Sequence, residues 1–209
     1  MNKALVLFFC LIISLQSIGQ NFGIKAGTVY SKEYVSWEDD QRLLYGYESS
    51  ETKSSMSFGI YGRIPIGKKL SIVPELLYSQ FEGTYILFSD NYKDEIKQFN
   101  LPIMFQWNPK KFIGVYLGPQ FNFIIESGTT TDSNRLDNIS LINSQYISAV
   151  AGVEFTLKDF DLGIRMIPGL SNLQNEDSYE FAYPPSIDVS FDSIFIYIGW
   201  RGIRLKQNN

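Results

Sequence analysis

Two carboxylates, Glu75 and Glu154, are the side chains of this sequence that could act as a general acid and base. Each lies on the polar side of a segment in which apolar and polar residues alternate. Three cations, Lys25, Arg63 and Arg165, lie on the polar sides of other such segments. Because a buried charge is costly unless it is paired, we predict a structural cluster of ion pairs, with any of the three cations as the partner of Glu75.

The chain contains no histidine, and its one cysteine, Cys10, lies in an apolar run near the N-terminus. Histidine is the side chain that titrates near neutral pH, and Ser-His and Cys-His nucleophilic catalysis depend on it. Typical zinc sites use the same two residue types. We therefore expect no enzyme activity, no cofactor and no metal. The carboxylate pair remains as the catalytic alternative.

Acidic and aromatic residues concentrate in the polar stretches between the alternating segments, for example at Glu38 to Asp40 and Asp90 to Glu95. Calcium binding is one alternative, since oxygen ligands cluster there, but no stretch has the calcium-loop spacing with its central glycine. We favour a solvated, repulsive surface. The formal net charge is −4 and no basic stripe is present, so we expect no nucleic acid partner.

The N-terminus has the pattern of a cleaved signal peptide. Lys3 precedes the apolar run 4–15, and small residues follow up to Gln20. The run is too short to span a bilayer as a helix. We therefore predict a signal peptide at 1–20 and one domain at 21–209, exported to the cell envelope.

Period-two alternation dominates the remainder and predicts β-strands. In the first segment, Phe22 and Ile24 share one face while Gly23 and Lys25 share the other. Eight segments show the pattern, near 22–31, 55–66, 70–81, 96–107, 112–125, 145–157, 160–169 and 193–205.

The connections between these segments alternate between short and long. The short ones, 67–69, 108–111 and 158–159, are rich in lysine and turn-forming residues. The long ones, near 32–54, 82–95, 126–144 and 170–192, are polar. This rhythm predicts an all-β fold, an eight-stranded antiparallel up-and-down transmembrane β-barrel of the outer membrane, with short periplasmic turns and long outer loops.

The distribution of side chains favours a membrane barrel over a soluble one. One face of the segments is aliphatic and aromatic, whereas the other is small or polar and carries the five charges. Aromatic residues also fall at both ends of the segments, as in the interfacial girdles of membrane barrels. The short-turn end has Phe22, Trp107, Phe112, Phe155, Phe160 and Trp200, and the long-loop end has Tyr30, Tyr78, Phe81 and Phe99.

Five stretches carry a resemblance to a known family: GIKAGTVYS at 23–31, PELLYSQFEG at 74–83, NLPIMFQW at 100–107, YLGPQF at 116–121 and GIRMIPGLSNL at 163–173. In these stretches the chain resembles the PorT-like outer-membrane β-barrel proteins, often filed as a "porin family" or "outer membrane protein beta-barrel domain". The resemblance covers essentially the whole predicted domain and implies its fold and location. The C-terminus departs from the aromatic ending common in such barrels, although Trp200 lies nearby.

We predict a structural or surface-interaction role through the long loops, with no open pore, since eight strands enclose room for little besides side chains. The alternatives are a component of outer-membrane secretion or assembly machinery and a narrow channel or small-ligand transporter. Expected partners are outer-membrane lipid, the barrel-insertion machinery and an extracellular or envelope protein. Candidate loop anchors are the aromatic residues Trp37, Tyr45, Tyr47, Tyr85, Tyr179 and Tyr183.

Overall fold

Alternating apolar and polar residues form strands because successive side chains of an extended chain point to opposite faces. The computed structural model describes residues 21–37, 53–87, 90–130, 135–137, 144–170 and 187–204. Its strands are β1 (Asn21–Trp37), β2 (Lys53–Pro65), β3 (Leu70–Leu87), β4 (Asp90–Lys110), β5 (Ile113–Thr130), β6 (Arg135–Asp137), β7 (Gln145–Leu157), β8 (Phe160–Ile167) and β9 (Ile187–Arg204).

Eight of these strands close into an antiparallel barrel. Neighbours follow the order β4-β3-β2-β1-β9-β8-β7-β5, and the pairing of β4 with β5 closes the ring. The short strand β6 lies outside the ring and pairs with the end of β5 at Gly128 to Thr130. The predicted eight-stranded fold is therefore confirmed.

The two faces of the barrel wall differ as the alternation predicts. Outward side chains such as Ile24, Phe58 and Leu117 are more than half exposed, although they are apolar. Exposed apolar side chains all around a barrel are the signature of a surface that meets lipid. Phe81 is an exception to the predicted outer girdle: it packs against the interior core, because it shares the inward parity of Leu77 and Ser79.

At the short-turn end of the barrel, neighbouring strands are joined by short connections. The connections are residues 66–69, 111–112 and 158–159, close to the predicted short turns. The backbone N–H of Asn108 donates to the carbonyl of Lys69 at 2.8 Å, so two of the turns lie side by side. Lys158 has a φ of 55°, the left-handed conformation that a two-residue hairpin turn needs.

The predicted long loops include residues that the structure places in paired strands. The stretch 82–95 is not a loop, because β3 and β4 stay paired up to Leu87 and Asp90. In the same way β1 and β9 stay paired up to Trp37 and Ile187. Hydrophobic alternation marks only the lipid-facing part of a strand, whereas the backbone hydrogen bonds continue beyond it.

Several predictions fall outside the described residues. These are the signal peptide at 1–20 and the candidate anchors Tyr45, Tyr47, Tyr179 and Tyr183. In the described part of the chain, no helix is long and apolar enough to cross a membrane.

Candidate functional site in the barrel interior

The inward faces of the strands bring the polar residues of distant segments together. Small residues make the room that large inward side chains need. At Gly163 an added Cβ would lie 2.3 Å from the hydroxyl oxygen of Tyr197, so the ring of Tyr197 lies over this glycine, its direct partner on the neighbouring strand. Glycine on one strand thus makes room for a large inward side chain of the next strand.

Glu75 lies near the middle of the barrel and is held by two cations. Lys25 donates to Oε1 of Glu75 at 2.6 Å. Arg165 binds both carboxylate oxygens, with its Nη1 2.7 Å from Oε2 and its Nη2 2.6 Å from Oε1. The side chains of all three residues are at most 1 % exposed, so this is a fully buried triad with two-pronged geometry.

Aromatic rings complete the surroundings of the two cations. The guanidinium of Arg165 lies 4.6 Å from the ring centre of Tyr197 and 5.1 Å from that of Tyr116. Its Nε donates to the hydroxyl of Tyr116 at 3.0 Å. The ammonium of Lys25 lies 4.0 Å from the ring centre of Tyr197. Cation–π contacts of this kind strengthen when water is excluded.

Glu154 forms a second centre nearer the short turns. It accepts hydrogen bonds from Arg63, from Gln106 at 3.2 Å and from the hydroxyl of Tyr197 at 2.9 Å. The ammonium of Lys25 is also 3.9 Å from this carboxylate. Lys25 and Tyr197 therefore connect the Glu75 and Glu154 centres into one network.

Asp161 forms a third centre that the sequence interpretation missed. Its carboxylate accepts from Nε of Arg201 at 2.8 Å, from the hydroxyl of Tyr61 at 2.8 Å and from Thr156 at 2.8 Å. Arg63 bridges Asp161 and Glu154, with its Nη2 3.5 Å from Asp161. The alternation of β8 could have identified Asp161, because it has the inward parity of Gly163 and Arg165.

All five predicted interior charges lie inside the barrel, each at most 8 % exposed. Of the three candidate partners of Glu75, the structure places Lys25 and Arg165 against it and Arg63 against Glu154 instead. The full network has four cations and three carboxylates, once Arg201 and Asp161 are added.

In the half of the interior nearer the long connections, the described inward side chains that surround the central space are neutral. Ser79 donates to Ser57 at 2.8 Å and accepts from Asn100 at 2.6 Å. Tyr146 donates to Gln98 at 2.9 Å, and Asn122 donates to Ser148 at 3.0 Å. Hydroxyls and amides thus replace ion pairs here.

A small cavity lies within this neutral half. About 20 Å³ is open to the centre of a water molecule, enough for about one water. Val29, Leu77 and Phe195 form part of its wall, together with Gln120. The Oε1 atom of Gln120 is buried and has no hydrogen-bond partner, so a water in the cavity would have an acceptor to bind.

The charged groups of the interior form one buried ionic network. Glu75 and Glu154 are at most 3% exposed and their carboxylates are bound by cations, so neither is within reach of a substrate outside the barrel. Among the described residues, no group of three His, Cys, Asp or Glu side chains is arranged to hold a metal ion. The arrangement can fix the barrel wall and fill its lumen.

Two of the candidate loop anchors have a described backbone. Trp37 ends β1 opposite Ile187, and Tyr85 lies in β3 opposite Tyr92 of β4. Both therefore stand on paired strands beyond the lipid-facing band rather than on loops. Their role in binding stays a prediction.

Comparison with known proteins supplies a family and several structures of similar fold. The family described as "Outer membrane protein beta-barrel domain" matches residues 14–175. Similar structures include the attachment invasion locus protein Ail of Yersinia pestis, with 12% identity, a TM-score of 0.49 and coverage of 87% of this chain and 97% of Ail. Neisserial surface protein A is similar at 12% identity and a TM-score of 0.49, with 88% and 99% covered. OprG of Pseudomonas aeruginosa is similar at 13% identity and a TM-score of 0.46, with 88% and 96% covered. No match was found among curated proteins.

Proposed function

Since this chain belongs to the outer membrane protein β-barrel family, we propose that it is a closed barrel whose role is structural or interactive, exercised on the long-loop side of the outer membrane. The observation that carries the proposal is the buried network of Glu75, Glu154 and Asp161 with their cations. A lumen filled in this way offers neither a solute path nor an accessible catalytic group. The proposed role involves neither catalysis nor a cofactor.

The outward face of the barrel wall contacts lipid, and the lumen is filled by side chains. A partner protein would therefore bind on the long-loop side. Strands β3 and β4 stay paired well beyond the exposed ring of Phe99, up to Leu87 and Asp90. Paired strands of this length carry the outer connections away from the bilayer as a rigid support. An extracellular or envelope protein is the proposed partner there, beside lipid and the barrel-insertion machinery.

A conductance measurement tests the closed lumen. Purified protein inserted in planar bilayers is expected to give no stable conductance in the nanosiemens range, because the charged network seals the barrel. The variant Glu75→Ala inserted in the same way shows whether the seal is the network itself. A stable open channel in the unaltered protein would contradict the proposal and favour the channel or transporter alternative.

Shortening the long connections tests where the activity lies. Residues 38–52, 131–143 and 171–186 are replaced by short turns, and the β3–β4 hairpin is closed at Glu82 and Glu95. The shortened barrel is expected to insert and to keep its gel shift on heating, but to fail to complement a strain that lacks the gene.

The matched control replaces Lys158-Asp159 by Asn-Gly, a change at the opposite end that is expected to complement fully. If the shortened barrel complements as well, the activity lies in the wall or at the short-turn end. The alternative of a component of secretion or assembly machinery would then be favoured. The PorT-like assignment belongs to that alternative and stays a proposal.

A further inference from the structure

Four exposed lysines lie close together at the short-turn end of the barrel. The β2–β3 turn carries Lys68 and Lys69, and Lys110 at the end of β4 is followed by Lys111 in the β4–β5 turn. We name these four residues the four-lysine patch. No acidic residue occurs in 66–74 or in 107–115. The side of the barrel formed by these turns is therefore basic on a chain whose formal net charge is −4.

The fold makes the patch contiguous and solvent-exposed. The hydrogen bond from the N–H of Asn108 to the carbonyl of Lys69, 2.8 Å long, holds the two turns together. All four lysines are exposed. None of them takes part in the ion pairs formed among the described residues.

The patch borders the lipid-facing aromatic ring. Trp107 and Phe112 project from the wall beside it and are about half exposed, at 51% and 50%. The ammonium of Lys110 lies 5.8 Å from the ring centre of Phe112. Tryptophan side chains on the wall of a membrane protein lie at the level of the lipid headgroups. Because the four lysines adjoin Trp107, they lie at the level of the lipid phosphates.

The opposite side of the same end supplies an internal comparison. Trp200 lies on β9, four strands from the β4 of Trp107 in either direction around the ring. The described turn nearest to it carries one lysine, Lys158, and one acid, Asp159. Both tryptophans face lipid, with 51% and 46% exposed, but only Trp107 borders the patch.

We propose that the four-lysine patch binds the phosphate headgroups of anionic phospholipids in the leaflet on the short-turn side, and that it does so on that one side of the barrel. Charge complementarity carries the assignment, since lysines near an anionic bilayer attract its lipids and the attraction falls off within a Debye length. The proposal rests on the outer-membrane location and is independent of the role proposed for the long-loop side.

Tryptophan quenching by brominated lipid measures the effect at each side separately. One protein keeps only Trp107 (Trp37→Phe and Trp200→Phe), and a second keeps only Trp200 (Trp37→Phe and Trp107→Phe). Each is reconstituted in phosphatidylcholine vesicles that contain a minority of phosphatidylglycerol, with bromine on one lipid or on the other. Brominated phosphatidylglycerol is expected to quench Trp107 as if enriched about fivefold beside it. It is expected to be enriched less at Trp200, beside which Arg201 is held by Asp161 and Arg204 is the last residue of β9.

Two charge variants of the Trp107 protein separate charge from shape. Substitution of all four lysines by glutamine is expected to abolish the enrichment, whereas substitution of all four by arginine is expected to keep it. Raised salt is expected to reduce the enrichment in the lysine and arginine forms. The gel shift on heating verifies that each form is a folded barrel.

The proposal is overturned if brominated phosphatidylglycerol is not enriched at Trp107, or is enriched equally at both tryptophans. It is also overturned if the glutamine form keeps the enrichment. If the patch binds an acidic protein instead of lipid, brominated phosphatidylglycerol would not be enriched at Trp107, and the two brominated lipids would quench it equally.

Discussion

The two halves of the barrel interior are built from different chemistry, although the same strands form both. Toward the short turns, Glu75, Glu154 and Asp161 are bound by four cations in geometry that few other side chains would satisfy. Toward the long connections, serines and amides such as Gln120 form neutral hydrogen bonds around a small cavity. Ion pairs thus fill the half nearer the short turns, whereas neutral hydrogen bonds and apolar side chains leave a small cavity in the other half.

The energies of the two halves should differ in the same sense. A buried ion pair adds modest net stability when complete, but removing one partner leaves an uncompensated charge. A neutral hydrogen bond contributes about 1 kcal/mol net. The charged half is therefore the sensitive one, and single substitutions there should reveal it.

The largest effect is expected from Glu75→Ala. It leaves Lys25 and Arg165 buried without their carboxylate, which should cost about 3–5 kcal/mol in the free energy of unfolding. The measurement is urea unfolding in lipid vesicles, followed by the gel shift between unheated and boiled protein.

The matched control for this change is Gln120→Ala, which shortens a buried side chain of the same length in the neutral half. It leaves Oδ1 of Asn122 without its donor, at a cost of about 1–2 kcal/mol. Equal losses in the two variants would show that the halves do not differ. A loss of biological activity in Glu75→Ala with unchanged stability would point to a ligand or catalytic role instead.

An intermediate effect is expected where the aromatic support of the charged half is displaced. In Gly163→Ala the new methyl group would lie 2.3 Å from the Tyr197 ring, so the ring must move away from Lys25 and Glu154. Overpacking of this kind costs about 1–3 kcal/mol.

Gly62→Ala serves as the control for that prediction, since its Cβ would meet the ring of Phe22 at an ordinary 3.6 Å. Unfolding of the two variants in the same vesicles checks the difference. If Gly163→Ala unfolds at the same urea concentration as Gly62→Ala, the position of Tyr197 does not matter to the network.

A smaller effect is expected in the neutral half from Ser57→Ala. The change removes the acceptor of the hydrogen bond from Ser79, while Ser79 keeps its bond from Asn100. A loss of about 1 kcal/mol is expected. A loss as large as that of Glu75→Ala, measured in the same way, would mean that the neutral half is as sensitive as the charged one.

The sequence was sufficient for the barrel and for the side of the wall on which each charge lies, because parity within a strand determines both. Pairing was harder to predict, since parity does not reveal strand register. Arg63 faces inward as expected but lies at the level of Glu154 rather than Glu75. Phe81 keeps the inward parity of Leu77 and Ser79, so parity rather than residue type is the better guide to its position. The pairing of β3 with β4 over 82–95 was missed because beyond the bilayer alternation no longer reports what the backbone does.

The smallest effect is expected for an ion pair outside the lipid-facing band, which sharpens the contrast with the buried ones. Lys97 lies beyond Phe99 and donates to Glu126 at 2.9 Å, and this hydrogen bond raises the pKa of Lys97 above its usual value. A raised lysine pKa stabilises the folded state below the usual lysine pKa, and that contribution disappears as the pH rises through the raised value. Lys97→Gln should therefore be nearly neutral from pH 6 to pH 9 (approximate limits set by the usual lysine pKa), because exposed pairs are well screened. The small difference from the unaltered protein should vanish in more alkaline buffer. Unfolding curves of the two proteins across this range measure it, and a difference at neutral pH as large as that of Glu75→Ala would show that burial is not what makes the inner ion pairs strong.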